Sequence, residues 1–193
     1  MPIVATLGLF LFLVPTFGVR SWLSRRATGA TGFVGVRPGG GALEWTAAAM
    51  MVLAYALVPI AARIGTPVLT HPLVVVAGAA LVVLGTAGTF VAQAHMRESW
   101  RIGVDPQVRT RLVTDGWFRW VRNPIFTMMI VVSLGLTLCC STPAALALPV
   151  LLVAALELQV RIVEEPHLAR AHGQAYLDWA GRTGRFVPGL GRL

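Results

Sequence analysis

Five apolar runs divide this chain: Pro2 to Val19, Leu43 to Ile64, Leu73 to Ala94, Pro124 to Cys140 and Pro143 to Val163. A helix needs about 20 apolar residues to cross a hydrocarbon core of about 30 Å. Lipid offers no water to unpaired backbone N–H and C=O groups, so each run must satisfy them internally as a helix. The runs therefore predict an all-α, polytopic integral membrane protein with five transmembrane helices. At 56% hydrophobic and 12% charged residues, the chain has too little polar surface to cover a soluble globule of its length. No room remains for a separate soluble domain, so residues 1–193 read as one membrane domain, with three spans in 1–94 and two in 95–193.

The arginines orient it. The first run has no basic residue before it and Arg20, Arg25 and Arg26 after it, the reverse of a secretory signal, and is expected to stay in the membrane. Only Ser141 and Thr142 separate the fourth run from the fifth, which predicts a tight helical hairpin. All 16 basic residues are Arg. With the N-terminus outside, segments 20–42, 95–122 and 161–193 face the cytoplasm and carry every arginine but Arg63, as the positive-inside rule requires. The formal charge of +8 then reports topology, and no nucleic-acid partner is expected. The expected location is a bacterial inner (plasma) membrane with the C-terminus cytoplasmic. Absence of Lys excludes Schiff-base chemistry and a lysine general base.

Several features read as structure rather than chemistry. Gly29, Gly32, Gly35 and Gly39 to Gly41 have no strand before them and form a connector rather than a dinucleotide loop. Cys139 and Cys140 are adjacent, with neither disulfide-framework nor zinc spacing, and are assigned to packing. His71, His95, His167 and His172 do not form a ligand set by spacing, so no metal is expected. Pro166 should kink or restart the last helix, because its ring excludes a bond back to Ile162. Beyond it Leu168, Ala171, Ala175 and Trp179 recur on one helical face, which predicts a C-terminal amphipathic helix on the membrane surface or folded over the bundle.

Ionisable residues inside apolar runs are costly and mark candidate sites. Glu157 is the only acid well inside a run; Arg161, Glu164 and Glu165 follow at helical spacing and extend one charged stripe, a catalytic surface or a structural ion-pair ladder. The segment from His95 to Arg122, with six arginines and three acids, is a solvated loop or a binding element. It ends in Arg122-Asn123-Pro124, a good N-cap followed by a good first helical residue, whose bare N–H groups can hold an anion such as a cofactor carboxylate.

The stretch Leu112-Val-Thr-Asp-Gly-Trp-Phe-Arg-Trp-Val-Arg-Asn-Pro-Ile-Phe126 resembles the "LVT-G-Y-RHP-Y" signature of the isoprenylcysteine carboxyl methyltransferase family and its phospholipid methyltransferase relatives. Arg161 to Tyr176, followed by Arg185-Phe-Val-Pro188, is similar to the same family's C-terminal pattern. The resemblance covers about Trp100 to Pro188 and makes 95–193 the cofactor-binding catalytic half. It implies a membrane methyltransferase without a Rossmann fold, using S-adenosyl-L-methionine on a lipophilic or lipid-attached substrate that enters from the bilayer. By the same resemblance Thr110, Arg111, Leu112, Val113, Phe118, Asn123, Pro124, Ile125, Phe126 and Glu164 line the cofactor. Arg161 takes a substrate-contacting position, and Glu157 or Glu165 serves as base where the acceptor needs one. Asn123 stands where the family has His, and Phe118 and Phe126 where it has Tyr. The chemistry suits these types: in-line methyl transfer needs alignment and exclusion of water, aromatic faces favour a sulfonium, and a carboxylate holds an ammonium. Two rivals remain. Arg97, Arg101, Arg109 and Arg111 would suit the 2′-phosphate of NADPH in a sterol-reductase-type enzyme, and a non-catalytic membrane scaffold would use the charged stripe only for structure.

Overall fold

A computed structural model describes residues 1–32, 34–36, 40–100 and 111–193. Among the described residues the chain is all-helical: α1 Pro2–Thr28, α2 Ala42–Ala61, α3 Pro72–Met96, α4 Pro124–Cys140, α5 Pro143–His172 and α6 Gln174–Ala180. Helices α1, α2, α3 and α5 are long and apolar enough to cross a membrane. Helix α4 is as apolar but has 17 residues, about 25 Å at 1.5 Å per residue. Their outward faces are hydrocarbon, with Ile3, Leu7, Val52, Val76, Leu84 and Val150 exposed, while Thr16, Thr86, Thr89, Gln93 and Ser133 point inward.

Small residues set the closest contact. α3 packs most extensively on α4, and a Cβ added to Gly78 would lie 2.8 Å from the carbonyl oxygen of Gly135, one added to Gly135 2.7 Å from that of Gly78. Lipid tails give helices no hydrophobic reason to associate, so close backbone approach and dispersion hold the pair. α2 lies on α5, and α1 crosses α3 and α4. Polar side chains tie the layers where hydrocarbon makes an unpaired group costly: Tyr55 Oη donates to Met129 O (3.3 Å), Gln93 Nε2 to Thr16 O (3.1 Å) and Thr142 Oγ1 to Ala61 O (2.6 Å). At the arginine-rich end Arg20 Nη2 donates to the carbonyls of Gln93 (3.2 Å) and Arg97 (3.0 Å), its guanidinium 4.8 Å from the Trp100 ring.

The hairpin between α4 and α5 is as tight as Ser141-Thr142 predicts, with Ser141 in the left-handed region (φ 54°) and its carbonyl accepting from the N–H of Val68 (2.7 Å). Three expectations are corrected. The first helix runs on to Thr28 because a π-turn over Val14–Val19 absorbs Pro15 without a break. A second π-turn over Val160–Glu164 fits Pro166 into a continuous helix and rotates the residues after it, so the charged stripe does not stay on one face. The single amphipathic helix is two pieces, because Gly173 (φ 56°) ends α5 and starts α6 at a new angle. α6 folds onto the bundle, burying Tyr176, Trp179 and Ala180 against Phe118.

Candidate functional site

One cavity of about 950 Å³ opens at the arginine-rich end and runs inward between the helices. The approach to α4 supplies Arg111, Leu112, Val113 and Phe118, and the start of α4 supplies Asn123, Pro124, Ile125 and Phe126. α5 adds Gln159, Glu164 and Leu168, and α6 adds Trp179. Deeper, α1 contributes Leu9, Leu13 and Phe17, α2 contributes Ala48, Met51, Val52, Tyr55 and Ala56, and α4 contributes Met129.

The C-terminal segment straps this mouth together. The N–H groups of Arg122 and Asn123 donate to the carbonyls of Gly184 (2.7 Å) and Arg185 (3.1 Å), and Thr127 Oγ1 donates to Phe186 O (2.7 Å). Two donors just ahead of α4 are thereby spent on the chain's own carbonyls; they precede the first turn, whose N–H groups belong to Ile125 and Phe126 on the cavity wall. Beneath the strap Glu165 accepts from Arg122 Nη2 (2.7 Å) and from Arg185 Nε (2.9 Å) and Nη2 (3.1 Å). Arg122 also donates to the carbonyls of Ala180 (3.0 Å), Thr183 (2.5 Å) and Gly191 (2.9 Å). Glu157 accepts from Arg185 Nη1 (3.2 Å) and Arg161 Nε (2.5 Å). Glu165 thereby holds the Arg185 guanidinium still more firmly protonated than usual. Beside it the buried Tyr176 phenol is pushed up to about 12, chiefly by desolvation and then by the Glu165 charge.

Of the cofactor positions, Arg111, Leu112, Val113, Phe118, Asn123, Pro124, Ile125, Phe126 and Glu164 converge on the cavity wall; Thr110 lies outside the described residues. Glu157, Arg161 and Glu165, the expected catalytic set, are not on that wall. The π-turn sends Glu164 into the cavity, where Gln159 hydrogen-bonds it, and turns Glu165 into the ion-pair network. The Arg161 side chain is 62% exposed beside Glu157. The ladder reading of these three therefore describes their geometry.

Sequence reasoning missed two groups. Arg122 and Arg185 were motif letters without a partner, and only the fold brings them to Glu165 from 43 and 20 residues away. The α1 and α2 walls carry little sequence signal: Glu44, Ala48, Met51 and Tyr55 share one face of α2, and of them only Glu44 and Tyr55 bear polar groups. His95, set aside as a non-ligand, bonds Asp115 (3.3 Å) and stacks 6.4 Å from Phe118. That bond is the main reason the Asp115 carboxyl sits below its ordinary value. Gly116 (φ 58°) is needed there, since a Cβ would meet the His95 ring at 2.6 Å.

A bundle of apolar helices around a deep cavity that opens at the arginine-rich end, beside the C-terminal strap, defines an integral membrane protein. A model of the phospholipid methyltransferase family matches residues 73–175, from the start of α3 into α6, and the chain belongs to that family, a group of membrane methyltransferases. No curated protein matches the chain.

Proposed function

We propose that this protein transfers a methyl group from S-adenosyl-L-methionine to a lipophilic acceptor that reaches the cavity from the bilayer. The observation that carries the reading is convergence: segments separated in sequence, 111–126 and the Glu164 turn, line one cavity whose far end is hydrocarbon. The donor set at the mouth fits the cofactor. Glu164 is a carboxylate suited to an ammonium, Arg111 is a cation suited to a carboxylate, and Phe118 and Phe126 offer ring faces to a cationic sulfur. When bound, the cofactor supplies an electrophilic methyl on a sulfonium. The chain's own residues hold and orient it, and Leu168 and Trp179 over the mouth exclude water. Asn123, where relatives have His, keeps its side-chain amide on the Arg185 carbonyl (3.3 Å), so it secures the strap and moves no proton. Five membrane crossings, with α4 as the short one, the N-terminus outside and the mouth cytoplasmic in a bacterial inner membrane, complete the proposal.

The NADPH reading has less support: of its four arginines Arg111 lines the cavity, while Arg101 and Arg109 lie outside the described residues. Titrating purified protein with S-adenosylhomocysteine and with NADPH separates the classes. Saturable S-adenosylhomocysteine binding is expected. Binding of NADPH alone would overturn the methyltransferase reading, and binding of neither would leave the scaffold.

A further inference from the structure

All six tryptophans of the chain lie at the arginine-rich end; neither the segment between α2 and α3 nor the α4–α5 hairpin contains one. Trp100 and Trp179 are buried, whereas Trp22, Trp45, Trp117 and Trp120 are exposed. An exposed indole is favoured where hydrocarbon meets headgroups, so these four mark one membrane interface. Counted from Pro2, about 20 residues of α1 cross the hydrocarbon. That puts Trp22 at the boundary and Arg26, one turn on, about 6 Å farther out among the headgroups.

Two arginines are held on these rings. The Arg26 guanidinium lies 4.0 Å from the centroid of Trp22, and that of Arg119 lies 4.7 Å from the centroid of Trp120. A stacked guanidinium gives its face to the ring and keeps the N–H donors along its edge. Neither arginine makes a hydrogen bond or ion pair to a described residue. By contrast Arg161 is spent on Glu157, Arg182 on the Asp178 carbonyl and Arg63 on that of Pro59. The exposed acids of this end among the described residues, Asp115 and Asp178, are bonded to His95 (3.3 Å) and Gln174 (2.8 Å). No described carboxylate therefore occupies the two stacks.

We infer that each stack binds the headgroup of an anionic phospholipid, the indole lying against the upper acyl carbons and the guanidinium edge donating to the phosphate. A zwitterionic headgroup carries its own cation beside the phosphate, and an anionic one leaves that place to the arginine. The inference rests on membrane residence alone and needs no methyl transfer. It sets anionic lipid at the end where the cavity opens.

The test uses the native indoles as reporters. Full-length protein is reconstituted in vesicles of phosphatidylglycerol and phosphatidylcholine, with one lipid or the other brominated, and tryptophan quenching gives their relative binding. The wild type should prefer phosphatidylglycerol. Arg26→Gln with Arg119→Gln keeps every indole and should lower that preference about fivefold per stack, the weight of one arginine at an anionic surface. Arg170→Gln with Arg192→Gln removes the same charge from exposed residues outside the stacks. Screened at physiological salt, that loss should change the preference by less than about twofold. Native mass spectrometry of the same samples should find phosphatidylglycerol retained on the wild type and depleted on Arg26→Gln with Arg119→Gln. Equal quenching by the two lipids in the wild type, or equal losses in the two double variants, overturns the inference. If the first double variant yields no monodisperse protein, Arg26→Lys with Arg119→Lys decides: it keeps the charge and loses the fork, and an undiminished preference overturns the inference.

Discussion

At the scale of single residues, two adjacent glutamates in one motif have opposite fates. Glu164 turns into the cavity with Gln159 beside it, and Glu165 turns under the strap between two guanidiniums. Glu164→Gln keeps the shape and removes the charge. Loss of one charge-assisted hydrogen bond is about 1.5 to 3 kcal/mol, so S-adenosylhomocysteine affinity should fall about 10- to 100-fold in a binding titration while the melting temperature holds. Glu165→Ala should do the reverse first: it leaves the buried Arg122 with carbonyls but no carboxylate and Arg185 with Glu157 alone, a loss of about 3 to 5 kcal/mol, read as a large drop in thermal stability in detergent. Arg161→Ala removes a largely exposed pair and should change stability by less than about 1 kcal/mol. If Arg161→Ala instead abolishes cofactor binding, the cavity is bounded differently from the wall described above.

At the scale of elements, helix contacts are set by what is missing from side chains. Gly135→Val places new carbons against the Gly78 carbonyl, where backbone on both sides leaves nothing to yield. The cost should exceed the usual 1 to 3 kcal/mol, approximately, of overpacking and appear as loss of monodisperse protein on size exclusion. Gly18 is the control, because a Cβ there meets nothing within 4 Å; Gly18→Ala should be neutral or stabilising by about 0.5 to 1 kcal/mol. The contrast explains what could be read beforehand. Apolar runs and the Ser141-Thr142 hairpin follow from composition and local pattern, and the 111–126 segment from its motif, so the helices and one wall of the cavity were legible. The two π-turns were not: nothing in the first apolar run marks one at Pro15, and Pro166 predicts an interruption but says nothing of how the helix repairs it. A shift of one residue then decides whether Glu164 or Glu165 faces the cavity. Nor was the strap legible: Gly184 and Arg185 meet Arg122 and Asn123 across some 60 residues through carbonyls that carry no sequence signature.

At the scale of the whole molecule, the chain's order of helices and its charge agree on one arrangement. Arg20 reaches the carbonyls of Gln93 and Arg97, and Glu44 and Arg122 line the same cavity, so the C-terminal ends of α1 and α3 meet the N-terminal ends of α2 and α4. Thr142 meets Ala61 at the opposite end. Arg63 is at that opposite end, and its guanidinium donates to Pro59 O (2.7 Å) on its own helix. An even number of crossings would bring both termini to one side, and α4, the shortest helix, is where the count is decided. Cysteine labelling reads it directly, because the native Cys139 and Cys140 are buried and silent to an impermeant maleimide. In intact cells Arg63→Cys should label at once, and Arg192→Cys only after the membrane is opened. Each substitution is on an exposed residue, so folding is not at stake. Labelling of both from outside would mean that one helix, α4 first among them, does not cross; labelling of neither would place both loops inside and remove the positive-inside argument for a cytoplasmic mouth. The outcome also fixes the side that the strap and Glu164 face, since both sit at the end that carries Arg192, and with it the side from which the proposed S-adenosyl-L-methionine, a charged solute, would enter.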